Sequence, residues 1–154
     1  MRWEQGRSEI DAMLSKGELQ KVAASREQAD RLMAQAVRHL ETARAAAAND
    51  AVGAYQLVYD AARKALSATL ENQGLRATSR GGHLAIRDAA LAQFEPPLGK
   101  ILRPFDRMRR RRNGAEYPDR DTPEITAEDV ENDLPKAEQI VKLGARVLDR
   151  MRPY

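Results

Sequence analysis

The stretch Ala54-Tyr55-Gln56-Leu57-Val58-Tyr59-Asp60-Ala61-Ala62-Arg63-Lys64-Ala65-Leu66-Ser67-Ala68-Thr69 decides how this chain folds. Ala54, Leu57, Val58, Ala61, Ala65, Ala68 and Thr69 recur at three and four residues and form one helical stripe, which Tyr55, Tyr59, Ala62 and Leu66 widen. An apolar arc that broad belongs to a helix buried on more than one side. The helix is expected over 51–72, started by Asn49-Asp50 and ended by Gln73-Gly74. Upstream, Ala29, Leu32, Met33, Ala36, Val37, Leu40 and Ala43 make a second stripe, opened by the capping-box spacing of Ser25 and Gln28 and running to about Ala48. The joint between the two helices is short, so they should lie antiparallel as a hairpin.

Working outward, Ser8 to Ser15 reads as a short helix with Ile10, Met13 and Leu14 on one side, and Trp3 as a docking residue for the N-terminal arm. After the hairpin, Leu75 to Gly82 reads as a loop made basic by Arg76 and Arg80. A helix follows from His83 to Phe94, then another from Leu98 to Arg112 that Pro104 should kink or restart. Thr126 and Asp129 are spaced to cap a last helix, kinked early by Pro135, whose buried side carries Val130, Leu134, Ala137, Ile140, Val141, Leu143, Gly144, Val147 and Leu148. The expectation is an all-α helical bundle: an up-down core of four main helices plus shorter ones. It divides into an N-terminal arm and short helix over 1–24 and a helical domain over 25–152, together one globular unit; 154 residues suffice to bury a core.

Composition narrows the chemistry. There is no cysteine, which rules out thiolate catalysis and disulfides, and His39 and His83 are the only histidines, too few for a multi-histidine zinc site. No metal and no cofactor are expected. The N-terminus is too polar for a signal peptide, and no apolar run approaches the roughly 20 residues that span a bilayer, so a cytoplasmic protein without membrane contact is expected. The net charge of +3 is modest, but it is unevenly spread: residues 103–112 hold six arginines against Asp106, while 124–133 hold five acids and no base. These runs are either solvated helix faces or the makings of an anion-binding surface.

The basic run leads into Arg109-Arg110-Arg111-Arg112-Asn113-Gly114-Ala115-Glu116-Tyr117-Pro118. Asn113-Gly114 is expected to stop the helix, since that pair tolerates the left-handed conformation, and Pro118 pushes Tyr117 out of helical space. Arg112 would then sit in a last turn, with Glu116 and Tyr117 presented from the loop beyond it. A guanidinium fork suits phosphate oxygens and never deprotonates. Tyr117, with an ordinary pKa of about 10, suits a donor or acid, and Glu116 is either a base or an ion-pair partner of Arg112. Tyr117 could instead pack its ring on the bundle. His83, in a glycine-rich basic loop, is either a helix N-terminal residue or a group supplied to the site from elsewhere in the fold. His39 reads as exposed, and Tyr55 and Tyr59 as core or dimer contacts or a stacking platform.

Taken together, the hairpin from Ala29 to Gly74 with its Tyr59-Asp60-Ala61-Ala62-Arg63-Lys64-Ala65-Leu66 centre, the Gly74-Leu75-Arg76 and Gly81-Gly82-His83 loop, and Arg112-Asn113 with Tyr117-Pro118 resemble the HEPN superfamily, small all-α nucleotide-binding domains. The resemblance runs from about Ser25 to Leu148 and is nearest to bacterial single-domain members. It implies a metal-independent endoribonuclease acting as a toxin or in bacterial defence, or else a non-catalytic module binding RNA, nucleotide or a protein partner. It further implies a homodimer with RNA as substrate, and an antitoxin or nucleotidyltransferase as a further partner. Carried over, Arg112 matches the family's catalytic arginine and Asn113 its polar neighbour. Tyr117 stands where the family has histidine, and Glu116 lies beside it. Arg109, Arg110, Arg111, Arg80 and His83 are then the RNA-binding candidates.

Overall fold

The computed structural model describes residues 4–154; Trp3 lies outside the described residues. Its helices are α1 (Arg7–Ser15), α2 (Arg26–Ala46), α3 (Ala51–Gln73), α4 (Gly82–Phe94), α5 (Gly99–Leu102), α6 (Pro104–Glu116) and α7 (Ala127–Leu148). Two short strands, β1 (Leu19–Lys21) and β2 (Leu75–Ala77), accompany them. The fold is all-α, as the sequence implies.

Helix α3 is the axis of the molecule. It packs on α2, α7, α6 and α4, and Ala54, Tyr55, Val58, Tyr59, Ala61, Ala62, Ala65 and Ala68 are sealed from solvent along it. Alanines make this possible: Ala29, Ala36 and Ala43 of α2 are also fully buried, so helix backbones approach closely with little side-chain entropy lost. Gly144 serves the same end on α7, because a Cβ there would stand 3.2 Å from the Ala65 carbonyl oxygen and 3.0 Å from Met33 Cε.

The caps follow the sequence with one variation. Asp50 accepts from the Gly53 amide, and Thr126 and Asp129 form the full reciprocal box at the start of α7. Ser25 accepts from the Gln28 amide, but its own N–H donates to the Glu71 carbonyl at 3.0 Å rather than to the Gln28 side chain. The start of α2 is thereby tied to the end of α3. Pro104 does restart the helix, separating α5 from α6 and standing in the first turn of α6, where its missing N–H costs nothing.

Two expectations are corrected. Asn113-Gly114 does not stop α6, which continues to Glu116. Gly114 is not in the left-handed region, and the helical path is held by the Tyr117 amide donating to the Asn113 carbonyl at 3.0 Å and by an Arg112–Glu116 ion pair one turn apart. The actual stop is Pro118, with Tyr117 at φ −124° and ψ 64°. The second correction is the β1–β2 ribbon, antiparallel with Leu19 opposite Ala77, which replaces part of the expected 75–82 loop. Gly74, at φ +85°, turns the chain out of α3 into β2 with its Cα against the Val22 carbonyl, a place where a Cβ would come within 2.9 Å of that oxygen.

Candidate functional site

Four consecutive arginines on a helix cannot point one way, and α6 sorts them. Arg111 reaches α7 and pairs with Asp129 at 2.8 Å; Arg109 and Arg110 both turn back to Asp106, at 3.0 and 3.3 Å. Asp106 also takes Arg87 of α4 at 3.0 Å. The acidic run over 124–133 is in part the counter-charge of the basic one, since Asp133 takes Arg107 at 2.5 Å. Asp133 is held below the usual carboxylate range: burial would push it up, but hydrogen bonds from Tyr55, Arg107 and Lys136 outweigh that.

Arg112 turns inward instead. Its Nη1 lies 2.7 Å from a Glu116 carboxylate oxygen and donates to Asn113 Oδ1 at 3.2 Å. Its guanidinium carbon stands 5.8 Å from the centre of the Tyr59 ring, a cation held over an aromatic face. The side chain is only 19% exposed, and Nε is sealed from solvent with no hydrogen-bond partner. A buried donor left unpaired costs about 1–3 kcal/mol, which the Glu116 and Asn113 contacts of the same guanidinium offset.

Tyr59 joins Arg112 to a residue from a third helix. Its hydroxyl is 2.7 Å from His83 Nδ1, and the two rings are tilted at 40° with centroids 5.6 Å apart. Tyr59 also stacks on Phe105 of α6, with ring centroids 5.3 Å apart. Burial raises the Tyr59 phenol well above its ordinary pKa, so it stays protonated. His83 is shifted the other way: burial lowers its pKa below 6.5, and Arg63 and Arg112 lower it further, with Asp60 opposing and Arg109 adding to the effect. At neutral pH it is an uncharged imidazole, with Nε2 free of any partner among the described residues. With the proton on Nδ1 the ring donates to the Tyr59 oxygen and Nε2 is a base; in the other tautomer Tyr59 donates and Nε2 carries the proton.

The His83 side of the site opens into a groove of about 440 Å³ between α2, α3, β2 and α4, lined in part by Arg63, Ser67, Arg76 and Ser79. Arg63 is paired with Asp60 at 3.2 Å and Arg76 with Glu71 at 2.6 Å.

Of the residues singled out in the sequence, Arg112, Asn113, Glu116 and His83 are brought together. Arg109 lies near enough to act on His83 electrostatically. Tyr117 is 77% exposed; its backbone amide donates to the Asn113 carbonyl, but its ring does not pack on the bundle. Arg80 lies apart, donating to the Lys16 carbonyl at the end of α1. His39 is half-buried rather than exposed, 2.7 Å from Lys64 Nζ, with its pKa lowered first by burial and then by Lys64. Sequence reasoning undervalued Tyr59, which it treated with Tyr55, and assigned no role to Asp60 and Arg63. The signal was present: 59, 60 and 63 share a helix side that the alanine stripe leaves to larger residues. Among the described residues no group of three or more His, Asp or Glu side chains is arranged to hold a metal ion. No helix among them is long and apolar enough to cross a membrane.

Fold and site together define a small helical-bundle domain that sets an arginine over the ring and a neutral histidine at the hydroxyl of one tyrosine. The family model of the HEPN domain matches residues 29–148, and the chain belongs to that family. Comparison with curated proteins and with solved structures gives no match.

Proposed function

We propose that this protein is a metal-independent endoribonuclease of the HEPN type, and that His83 takes the place of the histidine its Arg112 motif lacks. The observation that carries this reading is the Arg112–Tyr59–His83 arrangement: a largely desolvated cation over an aromatic ring, next to an imidazole kept neutral at physiological pH.

In the proposed reaction His83 Nε2 takes the proton of a ribose 2′-OH, and the 2′ oxygen attacks the adjacent phosphorus. The resulting imidazolium is steadied by donating through Nδ1 to Tyr59. Arg112 donates to the non-bridging oxygens, where negative charge gathers, and Glu116 holds the guanidinium in place. The bond to the 5′ oxygen breaks, that oxygen takes a proton from the exposed Tyr117 phenol or from water, and a 2′,3′-cyclic phosphate remains. An activity of this kind suits a toxin or defence effector neutralised by an antitoxin, and a homodimer would place two such sites side by side.

A second reading is supported by the Arg112–Glu116 ion pair itself, which engages the guanidinium in the free protein. On that reading the domain binds RNA, nucleotide or a partner without cutting. The ends of the RNA fragments decide between them. Incubation with RNA in EDTA should give 5′-hydroxyl and 2′,3′-cyclic phosphate ends with wild type and none with Arg112→Ala. Intact RNA with both proteins would leave the binding reading.

A further inference from the structure

The face of α6 turned away from Arg112 carries charge that the proposed chemistry does not use. At about 3.6 residues per turn, positions 107 and 110 fall roughly opposite Arg112. There Lys100, Arg103, Arg107, Arg110 and Lys136 line a groove of about 520 Å³ between the α5–α6 junction and α7. Its carboxylates do not balance it. Asp133 lies beneath, 5% exposed, and takes Arg107 and Lys136 at 2.5 and 3.2 Å. Asp106, at its edge, is shared among Arg87, Arg109 and Arg110. Lys100 and Arg103 are exposed and have no acidic partner among the described residues. Arg110 keeps 68% of its side chain in solvent although it touches Asp106.

We propose that this groove is a second binding site for the sugar–phosphate backbone of single-stranded RNA, lying outside the site where the strand is cut. The proposal rests on the reading of RNA as substrate. Its chemistry is that of a phosphate track: long cationic side chains around a concave surface, with no aromatic ring among its lining residues for base stacking. Because α6 with its side chains is about 10–12 Å across, a strand must run on for several nucleotides past Arg112 to reach the groove. Short substrates would be bound by the cleavage site alone, and longer ones by both.

Lys100 and Arg103 allow a clean test, since neither holds the fold together through an ion pair. Binding of a fluorescent 20-nucleotide 2′-O-methyl RNA, which lacks the attacking hydroxyl, should be measured by anisotropy over a range of salt for wild type and for Lys100→Ala/Arg103→Ala. The double variant should bind roughly tenfold more weakly, with the salt slope shallower by about 1.4, two lost contacts at about 0.7 each on a single strand. Its thermal unfolding should match wild type. Equal affinity and equal slope for the two proteins would overturn the track, as would failure of wild type to bind. Since this oligonucleotide cannot be cleaved, a loss of binding in the variant supports the track even if wild type proves unable to cut unmodified RNA, an outcome that would sink only the cleavage reading.

Discussion

At Arg112, only 19% exposed, Glu116, Asn113 and the Tyr59 face stand in for much of the water the guanidinium gave up. A lysine there would keep the charge and lose the planar fork and the Nε donor. Arg112→Lys should therefore lower kcat for RNA by about 10²–10³, the usual loss when a transition-state donor is removed; single-turnover rates would reveal it. His83 makes a prediction of its own. A base whose pKa is lowered stays unprotonated to lower pH, so the acid limb of the rate profile should fall off below pH 6.5. Removing the Tyr59 hydroxyl with Tyr59→Phe should alter that limb, since the hydroxyl is bonded to Nδ1; an unchanged profile would separate Tyr59 from the chemistry.

Helix α6 holds the site because its other arginines are fastened elsewhere. Tyr55, Arg107 and Lys136 converge on Asp133, linking α3, α6 and α7. Asp133→Ala would leave the buried Tyr55 phenol unpaired, while Arg107 and Lys136, 51% and 43% exposed, can turn to water; it should cost about 1–3 kcal/mol in chemical denaturation. Gly144→Val, which pushes a branched side chain into the Ala65 carbonyl, should lower stability by about 1–3 kcal/mol. Most of this architecture could be read in the sequence, because alanine and leucine spacing reports which helix faces are buried, and Asp50, Thr126 and Pro104 report where helices begin. The ribbon could not: Leu19-Gln20-Lys21 is too short for a period to emerge, and its partner, Leu75–Ala77, lies far away in the sequence. The end of α6 departs from its local sequence signal for a related reason. Asn-Gly favours a stop locally, but an ion pair and a backbone hydrogen bond spanning it keep the helix going. The meeting of Arg112 with His83 depends on how α4 and α6 pack on α3, and no spacing along the chain records that.

Across the whole molecule, the histidines set how stability responds to acid. Both His39 and His83 have lowered pKa values in the fold, so the unfolded chain binds protons more readily than the native one. By linkage, stability is fully present above the unfolded value of about 6.5 and declines as pH falls through it toward the lower folded values. The melting temperature should therefore drop between pH 7.5 and 5.5, and the drop should shrink in His39→Ala. A melting temperature unchanged over that interval would contradict these shifts. Three helices converge to put one arginine and one histidine against the same tyrosine, and the proposed cleavage depends on that convergence. Its most direct test is the rate at which one RNA is cleaved in EDTA by wild type, Arg112→Ala, His83→Ala and Tyr117→Phe. Arg112→Ala and His83→Ala should each lose about 10²–10⁴ in rate, while Tyr117→Phe should lose about tenfold or less, because water can replace an exposed acid. Full activity in His83→Ala, with Tyr117→Phe as inactive as Arg112→Ala, would contradict the account and assign the histidine's role to the tyrosine.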